Sequence, residues 1–295
     1  MQQAPDKYRK EKNYVSKNFN AAVDNYDALA VLQKTVAERL LERLELIRIT
    51  PGRILDLGSG TGTAGRLLKK KYRKAAVVQV DLASKMVARA AKQERSLFNR
   101  PSFVCADAQY LPLAPGVFDL TYSNLMLQWC NDLDSVFAEV RRVNKAGGLF
   151  IFSSFGPDTL WELKESWSRV DDDIHVNAFL DMHDVGDTLV RAGFENPVME
   201  VEYFTLTYAD VTALFRELKQ LGATNTNSGR RHSLTGKGRL ERVTDAYRAF
   251  ISDNRFPATY EVVYGHAWCS MTPGRLLPGA GGYAVPLSAI TKKVK

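Results

Sequence analysis

The stretch Arg53-Ile54-Leu55-Asp56-Leu57-Gly58-Ser59-Gly60-Thr61-Gly62-Thr63 joins a short apolar run, an acid and three alternating glycines. The apolar run predicts a strand, and Leu67 and Leu68 indicate that a helix follows the glycines. Glycine is favoured where φ is positive or where backbone approaches a ligand closely. A helix N-terminus also offers unpaired N–H groups to electron-rich atoms. The stretch therefore predicts a strand, a tight turn that could bind a nucleotide, and a helix, although purely structural turns share such loops.

Two further predicted strands also end in an acid. Residues 76–80 precede Asp81, and residues 102–105 precede Asp107. The carboxyl ends of parallel strands meet at one edge of a sheet, where a second-strand carboxylate holds a ribose diol and a third-strand acid lies beside a base. The alternative is that each acid caps the helix after its strand.

The loop of the form acid-x-Gly-x-Gly-x-Gly, followed by these two acids, resembles the class I S-adenosylmethionine-dependent methyltransferases. That resemblance implies an α/β, Rossmann-like fold with a seven-stranded, mostly parallel sheet and helices on both faces. It places Gly58 to Gly62 against the amino-acid part of S-adenosylmethionine, Asp81 at its ribose, and Asp107 with Ala108 at its adenine. The residues expected to bind the cofactor are Asp56, Gly58, Ser59, Gly60, Thr61, Gly62, Asp81, Leu82, Met86, Asp107, Ala108 and Asn124.

Length and composition favour one large domain with insertions. The chain has 295 residues, 45% hydrophobic and 25% charged, which is ordinary for a soluble enzyme. It has no apolar run of about 18 residues that could span a membrane, and its N-terminus lacks the apolar core of a secretory signal, so a cytoplasmic location is expected. The three scattered cysteines predict free thiols.

The net charge of +7 includes basic clusters at 69–74, Arg141-Arg142 and Arg230-Arg231. Such clusters are usually solvated helix faces, but they could also attract an acidic partner. No recognition motif supports nucleic acid as that partner.

Hydrophobic periodicity divides the chain into a helical cover (1–50), a cofactor-binding core (51–154) and a second half of the same domain (155–295). Residues 1 to about 18 are polar and are expected to be mobile, and a helix is predicted from Phe19 to Ile47. A polar linker is expected after the fifth strand. A helix-rich insertion at about 206–257 separates the sixth and seventh strands, and we interpret it, with residues 155–181, as a substrate lid.

The fourth predicted strand, 118–124, should lie beside the first, where ligands bind in doubly wound sheets. Residues Ser123 to Trp129 are therefore expected to border the reacting group. Tyr26 could face the same site, or it could form a hydrophobic staple with Phe19.

A closer resemblance covers nearly the whole chain, to the malonyl-acyl-carrier-protein O-methyltransferase family of biotin synthesis. The motifs that carry it are Phe19-x-x-Ala22-x-x-x-Tyr26-Asp27, the runs 127–133 and 155–163, Asp181-Met182-His183-Asp184, Gly222-Ala223-Thr224-Asn225, Leu234-Thr235-Gly236 and Ala258-Thr259-Tyr260-Glu261. It implies methyl transfer from S-adenosylmethionine to the free carboxylate of a malonyl thioester on acyl carrier protein, with no nucleic acid, membrane or metal involved.

This chemistry needs no general base, because a carboxylate with a solution pKa near ~4 is already ionised at neutral pH. A buried carboxylate does need donors or a counter-charge, and a guanidinium matches it. The lid arginines Arg230 and Arg231 are the candidates, with Arg169 a weaker one. Including the site-facing residues, the expected catalytic set is Tyr26, Gln128, Trp129, Arg230 and Arg231.

The stretches 171–175 and 181–184 contain metal-ligand residue types, but neighbouring residues rarely converge on one ion, so we interpret both as helix starts or solvated turns.

Rival interpretations of the function are a methyltransferase of another small carboxylate or of a quinone precursor, and a methyltransferase-fold assembly factor that hydroxylates an arginine of a partner protein. A cofactor-binding protein without turnover is a third.

Overall fold

A computed structural model describes residues 6–95, 99–231, 233 and 235–271, which form one seven-stranded sheet with flanking helices. The strands are β1 (Arg53–Leu57), β2 (Ala76–Asp81), β3 (Ser102–Cys105), β4 (Phe118–Ser123), β5 (Asn144–Phe155), β6 (Phe194–Tyr208) and β7 (Phe256–Cys269). Their order is β3-β2-β1-β4-β5-β7-β6. The first five strands pair in parallel, and β7 pairs antiparallel with both β5 and β6, so the expected mostly parallel sheet is confirmed.

The helices are α1 (Lys12–Leu29), α2 (Val31–Glu45), α3 (Thr63–Lys71), α4 (Ser84–Gln93), α5 (Leu133–Val143), α6 (Trp161–Ser168), α7 (Met182–Arg191), α8 (Val211–Gln220) and α9 (Lys237–Tyr247). Three of them begin at an aspartate whose side chain accepts a backbone N–H: Asp132, Asp181 and Asp210. Such caps satisfy amide groups that have no partner inside the helix. Asp181 is thus a helix start, as its sequence predicted.

The core has one apolar layer on each face of the sheet. On one face α2, α8 and α9 contribute Leu40, Leu214 and Val243, all fully buried. On the other face α5 contributes Phe137, whose ring packs against Phe150 of β5. Because the central strands are covered on both faces, even their polar residues Thr121 and Ser123 are fully buried.

The N-terminal region differs from its prediction in two ways. Residues 12–18, expected to be mobile, are the first turns of α1, and Val15 is buried there. The single helix predicted from Phe19 to Ile47 is two helices, because Ala30 leaves the helical conformation with ψ of 50°. The alternation of apolar residues continues through this break, so periodicity alone gave no signal of it.

The second half of the chain also departs from prediction in detail. The expected polar linker after β5 contains helix α6. Residues 209–255 form the insertion between β6 and β7 and contain α8 and α9. In the part of the chain that the structure describes, no helix combines the length and the apolarity needed to cross a bilayer.

Candidate active site

The glycine loop follows β1 with a backbone that only glycine adopts easily. Gly58, Gly60 and Gly62 have φ of 80°, 54° and 80°. A Cβ on Gly58 would lie 2.3 Å from Cγ of Met126, so a side chain there would clash with the residues after β4. The loop therefore packs closely against the residues after β4 at the carboxyl edge of the sheet.

Asp81 is held by this loop rather than capping a helix. Its Oδ2 accepts the backbone N–H of Gly60 at 2.8 Å, and its Oδ1 accepts that of Ala83 at 2.8 Å. Burial raises the pKa of the Asp81 carboxyl, although these hydrogen bonds oppose the rise. The N-cap position of α4 is Ala83, so the capping alternative is wrong for Asp81, whereas Asp56 accepts the backbone N–H of Gly65 in the first turn of α3.

Asp107 lies at the end of β3 and is paired with α1. Its Oδ2 is 2.5 Å from Nζ of Lys12, which also donates to Gln109 Oε1. Asp107 Oδ1 accepts the N–H of Gln109 at 3.0 Å, so this acid forms a local turn. The N-terminus of α1 is thereby tied across the sheet edge.

These residues line a cavity of about 90 Å³, which we call the strand-end cleft. Helix α1 covers it with Phe19 and Tyr26, whose rings pack edge to face with centroids 6.3 Å apart. Tyr26 faces the cleft and contacts Phe19, but both residues lie inside α1, so they do not form the hydrophobic staple that was the alternative interpretation. The lining includes Lys12, Val15, Ser16, Phe19, Tyr26, Leu57, Gly58, Gly60, Val80, Asp81, Leu82, Ala83, Met86, Ala106, Asp107, Ala108, Asn124, Leu125, Met126, Trp129 and Cys130.

A smaller cavity of about 50 Å³, the glycine-loop pocket, lies between the loop and α2. Asp27 accepts the hydroxyl of Thr61 at 2.5 Å and the amide of Gln93 at 2.8 Å. The pocket also contains Lys34 and Asp56, so it has groups of both charge signs. Its lining includes Tyr26, Asp27, Ala30, Gln33, Lys34, Ala37, Asp56, Gly58, Ser59, Gly60, Thr61, Thr63, Ala64 and Asn124.

Asp56 is a second buried acid of the site. Its side chain is buried, and its Oδ2 has no hydrogen-bond partner in the described part of the chain. Burial, with the nearby Asp81 carboxyl, raises the pKa of Asp56 to about 7. Oγ of Ser59 is likewise buried without a partner, so the pocket has polar atoms that a polar ligand could satisfy.

The third cavity is larger, about 290 Å³, and we call it the apolar cavity. It lies under α8 and α9 and beside α6, and its ionisable side chains are His175, Glu217 and Tyr260. The residues that line it are Leu32, Gln33, Trp129, Phe155, Thr159, Leu160, Leu163, Trp167, His175, Val176, Asn177, Phe179, Leu206, Phe215, Glu217, Leu218, Leu221, Ala223, Thr224, Asn225, Thr235, Leu240 and Tyr260.

Two residues join the three cavities. Trp129 lines both the strand-end cleft and the apolar cavity, and its ring packs at 89° on Phe19 with centroids 5.2 Å apart. Gln33 lines both the glycine-loop pocket and the apolar cavity. The apolar cavity therefore shares one wall residue with the strand-end cleft and another with the glycine-loop pocket, and we call these shared walls the junction.

The other residues predicted for the site lie away from these cavities. Gln128 is buried, and its amide donates to Leu125 O at 2.6 Å, so it shapes the turn after β4. Gly62 begins α3, where a Cβ would lie 2.9 Å from Ala90 Cβ. Arg230 binds Glu11 at 2.5 Å and lies over the ring of Tyr14, whereas Arg231 binds Asp173 at 3.3 Å. Neither arginine is among the residues that line the apolar cavity.

The stretch 171–175 is a turn that is exposed at Asp172 and Asp173, as predicted, but Asp171 and His175 at its ends are partly buried. The His175 ring stacks on Trp167 with centroids 3.6 Å apart, and its Nε2 lies 2.7 Å from Asp171 Oδ1. Ligand atoms of Asp171, Asp173 and His175 lie within 4.8 Å of one another. Arg239 contacts both carboxylates at 3.1 Å, so ion pairs already neutralise this acidic cluster.

Sequence reasoning missed Lys12, Gln33, Lys34 and the cavity-lining role of His175. Lys12 lies in a segment that was expected to be mobile, and Gln33 and Lys34 lie on a helix that was interpreted only through its apolar face. The pairing of Lys12 with Asp107 spans 95 residues of sequence, and no local pattern encodes such a contact. Asp27, next to Tyr26 in a family motif, was the one signal available for the glycine-loop pocket.

Comparison with known proteins identifies the chain at two levels. Residues 55–152 match a family profile described as a methyltransferase domain. By structure, the chain is similar to the YcgJ protein from Bacillus subtilis, with a TM-score of 0.54 at 17% identity, covering 83% of this chain and 98% of the other. At this identity the likeness shows the fold alone.

Sequence relatives are much more similar. A malonyl-[acyl-carrier protein] O-methyltransferase of Methylovorus sp. is 47% identical over 89% of this chain and 90% of its own. Proteins of the same name from Gallionella capsiferriformans and Halorhodospira halophila are 48% and 49% identical, each over 88% of this chain and over 91% and 88% of their own lengths. The chain therefore belongs to the malonyl-[acyl-carrier protein] O-methyltransferase family.

Proposed function

We propose that this enzyme transfers a methyl group from S-adenosylmethionine to the free carboxylate of a malonyl thioester carried on acyl carrier protein. The observation that carries the proposal is the junction, at which the strand-end cleft and the glycine-loop pocket share Trp129 and Gln33 with a separate apolar cavity. Methyl transfer requires two substrates to meet at one point, and adjoining spaces for a cofactor and an acceptor support such a meeting.

The residues present fit the cofactor in three places. The glycine-loop pocket has a cation, two acids and buried polar atoms without partners, which suits the zwitterionic amino-acid part. Asp81 is fixed by two backbone N–H groups, so its remaining lone pairs would accept the ribose hydroxyls. Asp107 and Ala108, with Met86 and Leu82 on the cleft wall, would contact the adenine, and Asn124 lies between the two parts.

Bound there, S-adenosylmethionine supplies a methyl group on a positively charged sulfur. The chain then has to orient a carboxylate oxygen toward that methyl and exclude water. Phe19, Tyr26 and Trp129 supply aromatic surface at this point, and burial raises the pKa of Tyr26, so its hydroxyl stays protonated and can donate a hydrogen bond. No proton has to be removed from the acceptor, so no base is required.

The substrate side would be formed by the lid, which we assign to residues 155–181 and the insertion 209–255. These segments contribute most of the apolar cavity, including Phe179, Phe215 and Leu240. A largely apolar enclosure strengthens the interaction between the acceptor anion and the positively charged methyl donor, because it lowers the local dielectric. The cavity is larger than a malonyl group, so part of the arm that carries it would also lie inside.

Arg230 and Arg231 remain candidates for contacting the malonyl carboxylate, but each would first have to leave its present carboxylate partner. The division into a cover, a core and a lid-bearing second half is likewise a proposal.

The test is incubation of the purified chain with methyl-labelled S-adenosylmethionine and either malonyl or acetyl carrier protein, followed by intact mass measurement. The proposal expects one added methyl on the malonyl form alone. If the cofactor binds but neither carrier protein is methylated, the fold assignment stands and malonyl carrier protein is excluded as the acceptor. Quinone precursors and partner proteins would then be tested as acceptors.

A further inference from the structure

We infer that Gln33 positions both substrates of the reaction, its amide N–H donating to the acceptor carboxylate and its amide oxygen accepting from the α-ammonium group of the cofactor. This inference rests on the proposed function. It assigns a substrate-positioning role to a residue of α2 that no sequence motif singles out.

The first support is location. Gln33 lines both the glycine-loop pocket and the apolar cavity. The groups in the pocket suit the amino-acid part of the cofactor, and the acceptor would lie in the cavity. In the proposed function the carboxylate approaches the methyl group from the apolar cavity, and Gln33 is one of the residues that this cavity shares with the cofactor side. A glutamine amide has two donor hydrogens and an acceptor oxygen, and can therefore contact an anion and a cation together.

The second support is an unsatisfied atom. Oε1 of Gln33 is buried and has no hydrogen-bond partner in the described part of the chain. Buried polar atoms are almost always hydrogen-bonded, so a lone acceptor on a side chain that lines two cavities indicates that a ligand supplies the donor. An ammonium group of the cofactor is such a donor.

The third support is the way the backbone of Gln33 is fixed. Its carbonyl oxygen accepts Nδ2 of Asn124 at 3.0 Å, and Oδ1 of Asn124 accepts the hydroxyl of Ser153 at 2.8 Å. The N–H of Leu125 in turn donates to Ser153 Oγ at 3.0 Å. This chain of hydrogen bonds links residue 33 to the carboxyl ends of β4 and β5, so its position is set relative to the site.

Charge argues for an amide at this point. Among the residues that line the apolar cavity, His175 is the one whose side chain can become cationic. A neutral donor orients the carboxylate without neutralising it, so the attacking oxygen keeps its negative charge. The unfilled acceptor and the neutral donor thus belong to the same side chain.

The experiment compares wild type with Gln33→Leu, Gln33→Glu and the control Glu38→Gln, a substitution on the exposed face of α2. Cofactor affinity is measured by calorimetry without acceptor, and kcat and KM are measured with malonyl carrier protein. Gln33→Leu should raise KM for the carrier protein about tenfold and weaken cofactor binding about fivefold, each the loss of one hydrogen bond to a charged group. Its Tm should not fall, because the change removes a buried unsatisfied acceptor.

Gln33→Glu separates the two contacts. It retains an acceptor, so cofactor affinity should equal or exceed that of wild type, whereas repulsion of the acceptor carboxylate should lower kcat/KM about a hundredfold. A KM for Gln33→Leu within twofold of wild type, or equal losses of cofactor affinity in both variants, would overturn the inference. If wild type itself transfers no methyl, the proposed function fails, and the calorimetric comparison still decides the contact with the cofactor.

Discussion

Nζ of Lys12 lies 2.5 Å from Oδ2 of Asp107, so the first turn of α1 holds the carboxylate that is expected to meet the adenine. Both side chains are partly exposed, and such ion pairs contribute less than about 1 kcal/mol. Lys12 also donates to Gln109, which strengthens the attachment of α1 to the sheet edge.

The substitution Lys12→Met should therefore speed entry of the cofactor. Without the ion pair, α1 opens more readily and Asp107 is free to accept from the adenine. We expect the association rate, measured by stopped-flow tryptophan fluorescence, to rise about threefold, the equivalent of roughly 0.6 kcal/mol. Asp107→Ala should instead weaken equilibrium binding. A slower association in Lys12→Met would show that Lys12 assists entry.

Trp129 should be required for turnover more than for folding. It lines the cleft and the cavity and packs on Phe19 at 5.2 Å. Replacing it by alanine opens the junction to water, and we expect kcat/KM to fall roughly 30-fold, or about 2 kcal/mol of transition-state stabilisation. Trp129→Phe keeps an aromatic surface and should lose less than about fivefold. Equal losses in the two variants would argue against a packing role.

Arg230 and Arg231 should differ when each is changed to glutamine. Arg230 is mostly buried between Glu11 and Tyr14 and also donates to Asn227 O at 2.8 Å, so Arg230→Gln should lower Tm by about 4 °C, the effect of roughly 1–2 kcal/mol. Arg231 is exposed and paired only at 3.3 Å, so Arg231→Gln should leave Tm unchanged. An increase in KM without a change in Tm, in either variant, would instead indicate contact with the malonyl carboxylate.

Asp56 should make stability depend on pH. Burial and Asp81 raise its pKa to about 7 in the folded chain, against 3.8 as the ordinary value. Between these values the folded state holds a proton that the unfolded state has lost. The contribution of the Asp56 carboxyl to the free energy of unfolding therefore falls as pH rises, by at most about 1.4 kcal/mol per pH unit.

Urea denaturation of wild type and Asp56→Asn between pH 4 and 8 measures this contribution. As pH rises, wild type should lose stability relative to Asp56→Asn. The difference between the two unfolding free energies should become constant above pH 7. A nearby ammonium group favours ionised Asp56, so cofactor affinity should rise across the same range in wild type. Parallel stability profiles would show that Asp56 ionises normally.

The basic clusters 69–74 and Arg141-Arg142 should contribute little to the reaction with the carrier protein, whereas Lys237 should contribute more. Residues 69–74 join α3 to β2 and Arg141-Arg142 end α5, so both clusters lie at the amino edge of the sheet, opposite the site. Lys70→Glu should therefore leave kcat/KM for malonyl carrier protein within twofold at low salt. Lys237 is exposed and lies two residues from Thr235 of the cavity, and Lys237→Glu should lower kcat/KM about fivefold through weaker electrostatic attraction.

Added salt should reduce the difference between Lys237→Glu and wild type, and should slow methylation of the carrier-bound substrate more than that of a small malonyl thioester. Equal salt dependence of the two substrates would contradict electrostatic docking of the carrier.

Much of the fold followed from local sequence. The run 53–63 predicted a strand, a turn and a helix, because apolar periodicity and positive-φ glycines act over a few residues. The same reasoning gave seven strands, and the placement of the fourth beside the first was confirmed. Local sequence did not predict the break at Ala30 or the helical conformation of residues 12–18, because contacts between distant segments stabilise both.

The sequence by itself determined the glycine loop, the acids Asp56, Asp81 and Asp107 at strand ends, and the family, since each depends on residue types at fixed spacing. Only the tertiary structure decided that Trp129 and Gln33 join the cavities, that Arg230 binds Glu11, and that Lys12 reaches Asp107. These contacts join residues far apart in the chain, and which of them form depends on how helices pack on the sheet. Packing satisfies many side chains at once, so no single stretch of sequence encodes it.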